Sequence, residues 1–427
     1  MIFATVPSTT LRERKHLDIP NHGLPELDFP PSYHNLADTL ADTQRYMPDM
    51  RPFWHQLVVI GNGFDLECKL RSSFTSFVSA RNRVFEQEEN GESNPLGFKR
   101  NLWDVILGSI DGDHWADVEG AIARWVVPTG WEDTNSEFWR SSLDETVDVL
   151  RDISRGKKST FDSKSIPVKV ASYLSEGSPQ KARQWNKEKL LELTRNDLEC
   201  LEKEFSAYLA QAEKDQPDYR GNARRLMCEL ILQGRPSKED YDIEESVLSF
   251  NYTHPIESLR SEEHETSYIN IHGRLGGEIV FGIDGTGRMN DPTVTPFTKT
   301  YRLLSLDVSD TRSLVHAASP IGYQDYGTVL IKFYGHSLGS ADYSYFQAIF
   351  DSVHLYEGQT QLIFFYRRHG DKTSEEVRVE TMSRVIKLLD AYGRTLDNKD
   401  HGKNLIHKLL IEGRLAVKEL PDTVRIK

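Results

Sequence analysis

Four short stretches of this chain end an apolar run on residues able to do chemistry. In the first, Leu57-Val58-Val59-Ile60 runs straight into Gly61-Asn62-Gly63-Phe64-Asp65-Leu66. The apolar run does not alternate, which predicts a strand covered on both faces. The two glycines permit a tight turn and close approach of a ligand to the backbone. A helix starting just after them would offer free N–H groups to an anion. Asp65 would repel a pyrophosphate; it fits either a helix cap or an acceptor for a ribose hydroxyl. The second stretch is Ser249-Phe250-Asn251-Tyr252-Thr253. Asn251 is the first polar residue past a buried run, and its amide joins a donor to an acceptor. Such a group orients a water or a ribose hydroxyl, or else caps the following turn. The third, Ile271-His272-Gly273, puts a histidine at a strand end, either as a general base or as a structural residue. The fourth, Tyr334-Gly335-His336-Ser337-Leu338-Gly339 with Asp342, reads as strand, turn and helix. It offers backbone N–H groups and a small hydroxyl to an anion or an adenosine. Gly-His-Ser-Leu-Gly also matches a nucleophile elbow, but nothing around the downstream Asp351 and His369 supports a triad.

These residues share a site only if their elements converge. Ligands of open α/β sheets bind beyond the carboxyl ends of the strands, so the elements to find are parallel strands. Apolar runs predict strands at 57–60, 247–250, 268–272, 278–281, 328–334 and 361–366. Helical spacing predicts helices over 74–88, 136–153, 185–212, 222–233, 341–350 and 381–391. Residues 155–179, rich in Lys, Ser and Gly, read as a mobile loop. Residues 284–325 read as irregular, and 401–427 as a surface element. Strands and helices alternate from 328 onward, as in a parallel sheet with crossovers. The expected fold class is α/β: a Rossmann-like parallel sheet with helices on both faces, plus a large, mainly helical insertion. The expected units are a proline-interrupted arm over 1–54, an α/β domain over 55–74 and 246–427, and a helical cap over 75–245.

Composition narrows the classes. Aromatic residues make up 10% and charged residues 27% of the 427 positions, the balance of a globular chain able to bury a large core. The formal charge of −13 argues against a protein that grips long duplex nucleic acid through its phosphates. Cys68, Cys200 and Cys228 form no CxxC pair, which points to a reducing compartment and away from a zinc knuckle. With no signal-type leader and no long apolar run, a cytoplasmic protein without a membrane partner is expected.

Taken together and in order, Gly61-Asn62-Gly63-Phe64-Asp65-Leu66, Trp115-Ala116-Asp117-Val118-Glu119, Phe250-Asn251-Tyr252-Thr253, Ile271-His272-Gly273 and Gly335-His336-Ser337-Leu338 with Asp342 resemble the bacteriophage abortive infection AbiH family. The resemblance covers roughly 55–390 and implies a bacterial anti-phage defence protein. A more distant similarity is to the sirtuin-like (SIR2) NAD-binding fold. It implies that Gly61 and Gly63 contact phosphates and that Asn251 and His272 are the catalytic pair. Gly335 and Ser337 would then close the nucleotide site. Asn62, Phe64, Asp65, Tyr252, His336 and Asp342 are expected to contact the same nucleotide. The zinc-binding cysteines of deacetylating sirtuins are missing, which favours simple cleavage of NAD(P) at the nicotinamide–ribose bond, with no metal. Two alternatives stand beside it. One is a nucleotide-binding sensor or scaffold without turnover, recruiting a second copy or a partner defence protein through the arm or the helical insertion. The other is a metal-dependent nuclease, with Asp117, Glu119, Asp65 and Asp342 around a hard cation. Residues two apart on a helix do not face one another, so Asp117 and Glu119 share a site only if the segment is extended or a turn; the alternative is a solvated acidic turn, or acids that pair with Arg124.

Overall fold

The run at 57–60 lies in the middle of a six-stranded sheet. Its strands are β1 (Phe53–Ile60), β2 (Asp242–Ser249), β3 (Ser267–Asn270), β4 (Thr328–Tyr334), β5 (Gln361–Tyr366) and β6 (Leu415–Glu419). All adjacent pairs are parallel, in the order β3-β2-β1-β4-β5-β6. This is the strand order of the Rossmann-type doubly wound sheet, whose switch point falls between β1 and β4. The structure is a computed structural model and describes residues 53–421, apart from 92, 111–116, 129–139, 158–159, 236–241, 257–266, 286, 288, 306–310, 312–313 and 318–326. Nearly all of the expected arm at 1–54, and Trp115-Ala116, lie outside the described residues.

The missing alternation in β1 has a direct cause. Leu57 and Val59 pack on one face with Phe333, Phe350 and Leu389, whereas Val58 and Ile60 pack on the other with Leu226, Met227 and Leu230. Both faces are therefore buried, as parallel sheets require.

Between β1 and β2 the described chain is helical: α1 (Asn62–Glu67), α2 (Phe74–Glu89), α3 (Leu102–Leu107), α4 (Val118–Val126), α5 (Ser142–Ser154), α6 (Ile166–Ser175), α7 (Pro179–Ala182), α8 (Lys187–Asp215) and α9 (Tyr219–Leu232). Phe77, Trp103, Trp125, Leu198 and Phe205 make a core of their own for this layer. The last helix, α9, instead covers the sheet with Leu226, Met227 and Leu230. The mobile loop expected at 155–179 contains α6. Pro167 sits in its first turn, and Val170 and Ala171 are buried, the latter with Val149 and Leu150 of α5. Two turns of apolar spacing are too few to stand out from a polar background.

The strand expected at 278–281 is a single bridge, Gly273 to Ile279, and Ile279 and Phe281 plug into the helical core. The irregular stretch contains α10 (Lys299–Leu304), capped by Thr298. After β4 come α11 (Tyr343–Ser352), α12 (Ser374–Thr395) and α13 (Lys399–Ile411), which cover the face bearing Leu57 and Val59. α12 begins earlier than its apolar pattern suggests because Thr373 and Glu376 form a capping box. The terminal segment, expected as a surface element, supplies α13 and the edge strand β6. None of the described helices is long and apolar enough to cross a membrane.

Candidate functional site

The strand ends stand level. Ile60 pairs with both Ser249 and Tyr334, and Ser249 pairs with Asn270. Gly61, Asn251, His272 and the turn at 335–337 therefore leave the sheet from one edge, at and beside the switch point.

At that point two glycine turns interlock. The Gly61 N–H donates to the Tyr334 carbonyl at 3.1 Å, and the Gly63 N–H to the Gly335 carbonyl at 2.8 Å. A Cβ on Gly61 would stand 2.7 Å from the His336 Cα, and one on Gly63 2.7 Å from the Gly335 Cα. Gly335 itself has φ +69°, and a Cβ there would meet the Phe64 nitrogen at 2.4 Å. Backbone against backbone thus accounts for all three glycines. Phe64 is fully buried under the sheet, and the Asn62 side chain accepts from the Ser72 hydroxyl.

Asp65 does not cap α1; the cap position is Gly61, without a side-chain bond. Its carboxylate is 1% exposed and accepts from the Tyr219 and Thr253 hydroxyls, both at 2.7 Å. Burial pushes it up to about 6 against the pull of these hydrogen bonds. Asn251 is 4% exposed, and neither its amide nitrogen nor its oxygen has a hydrogen-bond partner. The amide lies close enough to Asp65 to favour the ionised carboxylate, but not in bonding geometry. Tyr252 turns away into the helical core, where its ring meets Phe205 and Phe281 and its hydroxyl donates to the Val280 carbonyl at 3.1 Å.

Across the Phe250 ring stand two imidazoles, His272 at 5.4 Å and His336 at 4.4 Å. His336 Nδ1 accepts the Leu338 N–H at 2.9 Å, which puts the proton of the neutral ring on Nε2, 3.3 Å from Asp342 Oδ2. His272 Nε2 is 3.4 Å from Asp342 Oδ1 and makes no hydrogen bond. His272 is 3% exposed; burial first, then the Lys299 ammonium, pushes it down to about 3. It is neutral at physiological pH and a weak base, which weakens its expected role as the proton acceptor.

The residue that ties this site together is Lys299, which no motif marked. Its Nζ lies 2.5 Å from Asp342 Oδ1 and 2.6 Å from Glu119 Oε1, and the residue is 2% exposed. Burial alone would lower its pKa, but the two carboxylates raise it, so it stays an ammonium. Burial alone would raise Asp342, but the His336 hydrogen bond and the Lys299 charge hold it below the usual carboxylate range. Glu119 gains only Lys299, and burial pushes it up to about 7. Lys299, not Arg124, is thus the partner of Glu119.

Glu119 and Asp342 open onto a cleft of about 1040 Å³ between the first turn of α4, the turn 337–342 and α12, which adds Arg384 and Lys387. Ser337 lines it and is exposed. No triad forms there: Asp351 accepts from the Tyr392 hydroxyl at 2.9 Å, and His369 sits against the Arg367 carbonyl at 3.3 Å. Nor do the acids gather round a cation. Asp117 caps α4 through the Gly120 N–H at 2.8 Å, Asp65 is held by hydroxyls, and among the described residues no His, Cys, Asp and Glu form a metal-holding group.

The sheet edge thus brings His272, His336 and Asp342 together, sets the Asn251 amide beside Asp65, leaves the glycines packed on each other, and adds Glu119 and Lys299. No curated protein and no solved structure matches this chain. A family model does: the one described as Bacteriophage abortive infection AbiH matches residues 57–366, which include Glu119, Asn251, His272, Lys299, His336 and Asp342. With well over half of its length matched, the chain belongs to the AbiH family of bacteriophage abortive infection proteins.

Proposed function

We propose that this protein serves phage defence by binding NAD(P) in the cytoplasm and hydrolysing its nicotinamide–ribose bond. The observation that carries the reading is the pair of unpartnered polar groups at the sheet edge. Asn251 and His272 are buried, yet the Asn251 amide and His272 Nε2 have no hydrogen-bond partner. Each such group costs about 1–3 kcal/mol, so a fold that keeps both fits polar ligand atoms that pair them. They follow β2 and β3 at the carboxyl edge of a Rossmann-ordered sheet, the edge whose switch point binds nucleotides in such folds. Arg384 and Lys387 give the adjoining cleft cations for phosphates.

Cleavage of the nicotinamide–ribose bond passes through an oxocarbenium-like state that needs positioning and a dry pocket. The Asn251 amide would orient the water and the ribose, and the neutral His272 ring would accept from a ribose hydroxyl. The test is to incubate the purified protein with NAD and follow nicotinamide. Asn251→Ala and His272→Ala should each abolish release. Absence of nicotinamide under every activating condition tried, phage infection of expressing cells included, sinks the reading.

The weak basicity of His272 favours a second reading, binding without turnover. Calorimetric binding of NAD with the ligand recovered intact would support it.

A further inference from the structure

We propose that Glu119 is the proton acceptor of this site: its carboxylate takes the proton of the attacking water while Lys299 holds it in place. This inference rests on the NAD reading and deepens it. Glu119 stands in the first turn of α4 and lines the cleft, with 27% of its side chain exposed. It is the more open of the two carboxylates on Lys299, since Asp342 is 13% exposed. Asp342 Oδ1 also faces His272 Nε2, 3.4 Å away and buried without a hydrogen-bond partner. The cluster therefore has a place for polar ligand atoms as well as an outlet to solvent.

The groups facing Glu119 sort the roles. Lys299 faces it from α10, Asp342 from the turn before α11, Asp117 from its own helix and Tyr252 from beyond β2. His336 and Lys299 keep Asp342 ionised and acidic, so it binds a proton poorly at neutral pH. Glu119, pushed up to about 7 by burial, is matched to the operating pH; His272, pushed down to about 3, is not. In the step, the ribose–nitrogen bond breaks and nicotinamide leaves neutral with the bonding pair. Water forms the new bond to the ribose carbon, its proton passes to Glu119, and the cleft returns that proton to solvent.

The experiment compares the full-length protein with Glu119→Gln and Glu119→Asp. For the wild type, turnover of NAD should rise with pH through about 7. Glu119→Gln should lose that limb and about 100-fold or more in kcat with KM nearly unchanged. Glu119→Asp should recover part of the rate. Infrared spectra, read apart from activity, should show a carboxylic-acid band that vanishes above about pH 7 and is missing in Glu119→Gln. The difference spectrum is needed because Glu202 is also pushed up to about 7. Glu119→Gln with wild-type kcat and the same limb overturns the inference and leaves the NAD reading standing. An unchanged infrared difference overturns it too, even if the variants fold poorly, because Glu119→Asp supplies a second comparison. A wild type that never cleaves NAD overturns both.

Discussion

Asp65 and Asp342 are buried carboxylates at one sheet edge, one behind β1 and one behind β4, and they are held in opposite ways. Asp65 is surrounded by neutral hydroxyls, from Tyr219 and Thr253, and burial raises its pKa. Asp342 faces an ammonium and two imidazoles, and its pKa falls in spite of burial. Both oxygens of Asp65 accept from neutral hydroxyls, whereas Asp342 lines a cleft and neighbours an unpaired imidazole nitrogen. Burial and a perturbed pKa are common to both, so neither marks the functional site. The opening onto a cleft and the neighbouring charges distinguish Asp342.

The sharpest way to break this contrast is Lys299→Met, which leaves two carboxylates on the Asp342 side without their counter-charge. Removing one member of a buried ion network costs about 3–5 kcal/mol, so urea unfolding at neutral pH should show a loss of that size. A loss below about 1 kcal/mol would mean that the ammonium does not hold the cluster together.

On the Asp65 side the expected signature is in pH. The folded carboxyl titrates near 6 against an ordinary 3.8, so the protonated form is favoured by folding. Stability from this group is fully present below about pH 4 and is lost as pH rises through about 6; roughly two pKa units correspond to about 3 kcal/mol. Asp65→Asn should remove that swing from the wild-type stability profile. Equal slopes for the two proteins between these limits would show that Asp65 is not desolvated.

The smallest effects separate Thr253 from its neighbour Asn251. Thr253→Val strips a donor from Asp65 and should cost about 1–3 kcal/mol. Asn251→Ala breaks no hydrogen bond and removes an unpaired buried amide, so it should leave stability unchanged or raise it by up to about 3 kcal/mol. If Asn251→Ala costs as much as Thr253→Val, its amide is a structural part of the protein and not a free group awaiting a ligand.

The sheet was legible because its signal is local. Runs such as Leu57–Ile60 and Leu362–Phe365 are apolar at every position, a pattern imposed by helices on both faces. Parallel register brings the ends of β1, β2, β3 and β4 level, so that the residues after them leave one edge is legible; the meeting of His272 and His336 at Asp342 depends on the chain beyond those ends. Lys299 was not legible. It lies in a segment without periodicity, and its partners stand far away in the chain; a lone lysine carries no mark of the carboxylates that will surround it. Glu119 was visible only as one of two acids, and its alternate pairing with Arg124 was as reasonable as any. The glycines were read as ligand contacts, although the packing of Gly63 on Gly335 explains them without one. A sequence cannot distinguish a glycine that admits a phosphate from one that admits another strand of backbone.

Lys299 has one consequence outside the chemistry. Glu119 belongs to the helical layer and Asp342 to the sheet, so a single ammonium clasps the two layers. Drawing α4 outward would strand one acid or the other, and the proton affinity of whichever is left alone would climb. Mechanical displacement of the outer helices and acidity at the sheet edge are thereby one linked variable, as reciprocal coupling demands. A cue that tugs on the surface would be registered inside as the uptake of a proton.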